Sequence, residues 1–197
     1  MEDNYYNEIS NGYEELYLEE QLKKVMLIKK YFHPSKEDKL LDVGCGSGIT
    51  TVPWNCERYG IDTSKELIKK AILKETEKYN EIKDKKIKEK IKENKIKEKI
   101  EENKIIKDNK IKYLIARAEN IPFPNKTFDH VISITAIQNF DNVSKGLDEI
   151  KRVGKNSFVL TFLKKSAKRE MIEKLIREKF NVKKILEEEK DIIYFCE

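Results

Sequence analysis

Asp42, Gly44, Gly46, Gly48 and Asp62 have the residue types and spacing to hold a nucleoside. The stretch Leu40-Leu41-Asp42-Val43-Gly44-Cys45-Gly46-Ser47-Gly48 passes from apolar residues to an acid, then to three glycines at every second position. Without a Cβ, such a loop can turn sharply and let a ligand lie against its backbone. A helix opening after it would aim free N–H groups and a positive dipole end at that ligand. Fourteen residues after Gly48, the run Tyr59-Gly60-Ile61 ends in Asp62. An acid at the carboxyl end of a neighbouring strand offers two acceptor oxygens to a ribose diol. The spacing narrows the ligand. The dinucleotide fingerprint G-x-G-x-x-G and the phosphate loop G-x-x-x-x-G-K-[ST] are both absent. The plainer alternative is a tight glycine turn beside a solvated Asp62.

Asp42 to Gly48 resembles the first motif of the class I S-adenosylmethionine-dependent methyltransferases, and Asp62 resembles their ribose-binding acid. The resemblance implies that Asp42, Gly44, Cys45, Gly46, Gly48, Asp62 and Thr63 serve S-adenosyl-L-methionine, with Asp42 orienting the loop. It extends to Ala118-Glu119-Asn120-Ile121-Pro122-Phe123-Pro124 and Thr127 to Ser133. That block is similar to one in small-molecule methyltransferases, and also to one in RNA methyltransferases on the same core. It implies Ala118, Glu119 and Ile121 beside adenine, with Ile121 to Phe123 as the wall beyond. Arg117 is a departure, because related chains carry an aspartate there. Thr135 to Phe140 lacks the Asn- or Asp-Pro-Pro-aromatic motif of enzymes that methylate amino groups of bases. Gln138 and Asn139 can hydrogen-bond an acceptor but cannot take its proton. No general base is named.

The elements that must position these residues follow from periodicity. Leu40, Leu41 and Val43 suit a strand buried on both faces. Ile49 to Val52 can begin a helix that Pro53 cuts short, with Trp54 covering the gap. Thr63 or Ser64 caps a helix through Ile68 and Leu73. Lys112 to Ala116, Asp129 to Ile134 and Asn156 to Leu163 read as strands. Lys145 to Val153 reads as an amphipathic helix. Ser166 caps another, carrying Met171, Ile172, Leu175 and Ile176. Phe180 to Leu186 and Asp191 to Cys196 form a closing pair. Strands alternating with helices predict an α/β fold. The resemblance makes it a three-layer Rossmann-like, seven-stranded, mostly parallel sheet with a C-terminal antiparallel strand. Residues 1–35 read as a helical segment over the site, whose Tyr5, Tyr6 and Tyr13 either close it or pack on the sheet. Residues 36–197 read as the methyltransferase-like domain.

Composition bounds the rest. A chain of 197 residues can bury a single core. The net charge of +5 lies wholly in residues 83–110, where twelve lysines face seven acids and the remainder holds 29 of each sign. This low-complexity insert repeats Ile-Lys-Glu-Lys-Ile with a nine-residue period, which a helix cannot turn into one apolar stripe. It is either a solvated insertion, the favoured reading, or a lysine-rich arm for nucleic acid. Cys45, Cys56 and Cys196 form no CxxC pair, and with only His33 and His130 beside them no metal spacing exists. Cys45 reads as a small filler, and His33 and His130 as structural. No membrane-length apolar run and no signal peptide is present, so the expected location is the cytoplasm. The expected function is methyl transfer from S-adenosyl-L-methionine to an unidentified acceptor, a small molecule being slightly favoured. An RNA or protein acceptor, or a non-catalytic binding module on the same fold, are the alternatives.

Overall fold

The structure is a computed structural model, described over residues 18–75 and 111–197. Tyr5, Tyr6 and Tyr13, and the insert at 83–110, lie outside the described residues, as do the expectations placed on them. The chain divides into two compact units, Met1–His33 and Pro34–Glu197. In the first, helix α1 is described over 18–28 and carries a Glu19–Lys23 ion pair one turn apart.

The second unit is built on a seven-stranded sheet. Its strands are β1 (Lys39–Val43), β2 (Glu57–Asp62), β3 (Lys112–Ile115), β4 (Phe128–Ser133), β5 (Gly154–Leu163), β6 (Val182–Glu187) and β7 (Asp191–Cys196). Their spatial order is β3-β2-β1-β4-β5-β7-β6. The first five are mutually parallel, and β7 runs antiparallel to both β5 and β6. The order reverses between β1 and β4, and ligands bind outside the carboxyl ends of strands at such a point. Helices α2 (described over 65–75), α3 (Val143–Val153) and α4 (Arg169–Lys179) complete the unit.

Strand alternation sorts the residues by face. Leu41, Val131, Phe158 and Cys196 are successive register partners, as are Asp42, Gly60 and Tyr113 one residue on. The first set joins Leu147, Ile150, Ile172 and Ile176 of α3 and α4 in one buried cluster. The second set faces the opposite side. There, a Cβ on Gly48 would meet both the Tyr113 ring and the methyl of Ala71 on α2.

Several local expectations change. No helix follows the glycine loop: residues 49–53 make successive turns, with Thr51 and Val52 N–H groups donating to the Gly48 carbonyl. Trp54 is buried and donates its indole N–H to the Thr50 carbonyl, which closes this short crossover. The connection from β3 to β4 also contains no helix, so strands and helices do not strictly alternate. That connection is held instead by Arg152 of α3. Its guanidinium donates to the carbonyls of Ile121 and Phe123 at 2.9 and 2.8 Å, while Glu149 accepts the Ile121 N–H at 2.9 Å. Ser166 does not cap α4; its hydroxyl accepts the N–H of Lys168, which is the residue at the cap position. Met171 turns outward from that helix, 44% exposed. Asn142 is the true cap of α3, accepting the Lys145 N–H at 3.0 Å.

Candidate cofactor site

Three left-handed glycines shape the loop after β1, with φ of 78° at Gly44, 53° at Gly46 and 81° at Gly48. Gly44 also has no room for a side chain, since a Cβ there would lie 2.4 Å from the methyl of Ala136 in the loop after β4. Gly46 differs: its Cβ position has no neighbour closer than Leu67 Cδ1 at 3.9 Å. Among the described residues, Gly46 thus keeps room at its Cβ position that Gly44 lacks.

The loop is stitched to the end of β2. Gly44 and Cys45 both donate their N–H groups to the Ile61 carbonyl, at 2.8 and 3.0 Å. Asp62 Oδ2 accepts the Gly46 N–H at 2.9 Å, and Oδ1 accepts the Ser64 N–H at 2.8 Å. Each carboxylate oxygen has two lone pairs, so this half-buried acid keeps acceptor capacity on both oxygens. Ser64, rather than Thr63, caps α2 by accepting the Leu67 N–H. Thr63 stands exposed beside Asp62.

Asp42 is turned into the protein. It is fully buried, and its Oδ2 accepts the hydroxyls of Thr50 and Thr51 at 2.6 and 2.7 Å. It thus ties the far limb of the loop to β1. Burial is the largest influence on this carboxyl and pushes it up to about 6; the threonine hydroxyls pull it down and the nearby Asp62 pushes it up. Its Oδ1 has no partner among the described residues and can hold the proton.

The folded protein keeps a proton that the unfolded chain, at its ordinary 3.8, has released. Stability from this group is full below that value and is lost as pH rises through about 6. We expect Asp42→Asn to remove the loss. Its stability relative to the parent, from urea unfolding, should gain ~3 kcal/mol between acid and mildly alkaline pH. A gap that stays constant with pH would contradict this assignment.

Cys45 is buried, and burial, then Asp42 and Asp62, push its thiol far up. It fills space rather than reacting. Tyr113 was not singled out by sequence, yet its ring crosses Gly60 and its hydroxyl reaches Gly48. Its bulk explains why both positions are glycine.

The second segment is fastened both to the sheet and to α3. It joins the same edge of the sheet, where the Ala116 N–H donates to the Asp62 carbonyl at 3.0 Å. Ala118 and Ile121 belong to the buried cluster shared with α3. Phe123 packs against the same cluster and forms an edge-to-face trio with Tyr59 and Phe128. Glu119 accepts the Asn142 N–H at 3.0 Å, fastening this turn to the start of α3. Arg117 pairs with Asp141, and its Nε lies 3.6 Å from Glu119. Its charge is therefore balanced by two acids.

Beyond the site, His130 bridges Ser157 and Asp38, at 2.7 and 2.9 Å, which fits its structural reading. Among the described residues no His, Cys, Asp or Glu cluster could hold a metal, and no helix is long and apolar enough to cross a membrane.

Residues 41–162 match the family model described as a methyltransferase domain. The uncharacterized protein MJ1252 of Methanocaldococcus jannaschii is 28% identical over 160 residues, which cover 80% of this chain and 49% of that one. The chain thus spans about half the length of this curated relative. A SAM-dependent methyltransferase of Aquifex aeolicus has a similar fold, with TM-score 0.58 at 19% identity over 91% of this chain and 88% of that chain. Magnesium protoporphyrin IX methyltransferase of Synechocystis PCC 6803, solved with bound SAM, gives TM-score 0.62 at 14% identity over 91% of this chain and 78% of that chain. At such identities the two structures speak for the fold alone. The family match covers more than half of the sequence and includes the whole glycine loop and Asp62. This chain belongs to the methyltransferase domain family, of the class I S-adenosylmethionine-dependent type.

Proposed function

We propose that the chain binds S-adenosyl-L-methionine through the loop from Gly44 to Gly48 and Asp62, and transfers its methyl group to a small-molecule acceptor. The observation that carries this reading is the pairing of Asp62 with an open left-handed Gly46. One carboxylate oxygen holds the loop's N–H while the same acid keeps lone pairs for a diol. The residues fit the group. The glycine conformations are required by the loop, and among the described residues only Leu67 comes within 4 Å of the Cβ position at Gly46.

The cofactor, when bound, supplies a methyl group already activated on a sulfonium. The chain's own task is then alignment and exclusion of water. Gly44, Gly46 and Asp62 fix the nucleoside end. The loop after β4 packs against Gly44 through Ala136 and lies at the carboxyl edge, where an acceptor would meet it. Gln138 donates its amide N–H to the Thr135 carbonyl at 2.7 Å, which directs its oxygen away from that carbonyl. A small acceptor is favoured by the charge balance outside residues 83–110.

Calorimetric titration with S-adenosylhomocysteine tests the cofactor reading. Saturable one-site binding is expected, and no heat from a folded sample would overturn it. Transfer of labelled methyl in parallel to a small-molecule extract and to total RNA tests the acceptor class. Label in the extract is expected; label confined to RNA would move the acceptor to nucleic acid.

A further inference from the structure

Thr135 stands just past the carboxyl end of β4 with φ of 56°, a left-handed conformation that a β-branched residue rarely adopts. Such a conformation persists only where its surroundings impose it. Hydrogen bonds among the described residues do so. The Thr135 N–H donates to Thr161 Oγ1 at 2.7 Å, and its hydroxyl donates to Asp191 Oδ2 at 2.5 Å. Its carbonyl accepts the Gln138 amide at 2.7 Å. Asp191 is fully buried at the head of β7, and the same Oδ2 accepts the Thr161 hydroxyl at 2.9 Å. Its own backbone is fixed by the acidic turn, since Glu188 Oε1 accepts the Asp191 N–H at 2.7 Å.

The next residue after Thr135 is Ala136, whose methyl occupies the space a Gly44 side chain would need. Two residues before Thr135, Ser133 donates its hydroxyl to the Val43 carbonyl at 2.9 Å. The backbone that leaves β4 is thus pressed onto the backbone that leaves β1. A continuous set of contacts runs from Asp191 through Thr135 and Ala136 to Gly44.

We propose that Asp191 is a positioning residue for the glycine loop: by holding Thr135 left-handed, it makes the C-terminal hairpin set the geometry of the cofactor loop. The role is remote, since Asp191 is enclosed in protein. Its effect on ligand affinity rests on the cofactor reading above, whereas its effect on loop motion does not. Loop motion is measurable because the N–H groups of Gly44, Cys45, Gly46 and Gly48 are all hydrogen-bonded in the structure.

Hydrogen exchange on the full chain tests the proposal. Asp191→Ala should speed exchange of the Gly44–Gly48 amides about tenfold more than that of amides in α3, and weaken S-adenosylhomocysteine about tenfold. Asp191→Asn should stay near the parent, because the amide carbonyl can still accept both threonine hydroxyls. Thr135→Gly in the Asp191→Ala background should recover much of the loss, because glycine adopts the left-handed conformation unaided. Thr135→Val removes only the hydroxyl and decides the matter if Asp191→Ala does not fold. Uniform exchange across loop and α3 in folded variants overturns the proposal. A parent that binds no S-adenosylhomocysteine, with the exchange pattern as expected, overturns the cofactor reading instead.

Discussion

Asp62→Ala is expected to weaken S-adenosylhomocysteine by about 100-fold, the scale of one or two hydrogen bonds to a charged group. The size reflects two roles in one carboxylate. It accepts the N–H groups of Gly46 and Ser64, and it is the acid that would receive the ribose hydroxyls. Removing it frees the middle of the glycine loop and deletes the diol's partner together. Asp62→Asn separates the two poorly, because its amide group must face one of the two backbone N–H donors. We therefore expect Asn to bind nearly as weakly as Ala, and Glu to do no better because its carboxylate sits one carbon further out. Calorimetry on the three variants, with unfolding curves to confirm that each is native, is the check. Affinity within threefold of the parent for folded Asp62→Ala would show that the nucleoside is held elsewhere.

Gly44→Ala should cost about 3 kcal/mol or more of folding stability, from a left-handed non-glycine residue and an overlap at close quarters. The overlap is with a loop rather than a flexible side-chain tip. The new methyl would lie 2.4 Å from Ala136 Cβ, whose backbone Thr135 and Ile137 hold from either side. Gly46→Ala is the instructive contrast. Its φ of 53° carries only the left-handed cost of ~1–2 kcal/mol, and its side chain meets nothing nearer than 3.9 Å. It should fold well and lose ligand affinity by an order of magnitude, because the methyl projects where a cofactor would lie. Urea unfolding and titration of both variants read out the two effects. Equal stabilities would mean that the Gly44 loop yields easily and that its close approach to Ala136 is incidental.

The strands and the glycine loop were legible because their signals are local. An apolar run ending in Asp42 and spaced glycines needs no distant partner to be recognised. Asp62 was legible for the same reason, at the end of the next apolar run. The missing helix after Gly48 was half legible: Pro53 announced the interruption, but the burial of Trp54 that makes turns sufficient is a tertiary fact. Ala118 and Ile121 show the limit of a local signal. Their motif was readable, yet their side chains go to α3, because the anchoring by Arg152 and Glu149 spans about thirty residues of sequence. Asp191 carried a weak signal, an acid heading a run of otherwise apolar strand residues. Only the pairing of β7 with β5 brings it beside Thr161 and Thr135.

The strand order β5-β7-β6 has a kinetic consequence. Within the sheet β6 pairs only with β7, through a short acidic turn, so the two can assemble early as a hairpin of low contact order. β6 joins the sheet through β7, which pairs with β5 along a single seam. The hairpin is thereby a candidate foldon, able to open and close without melting the strands on the other side of β4. Each opening would pull Asp191 away from Thr135, so docking of this hairpin would also time the maturation of the nucleoside-binding end.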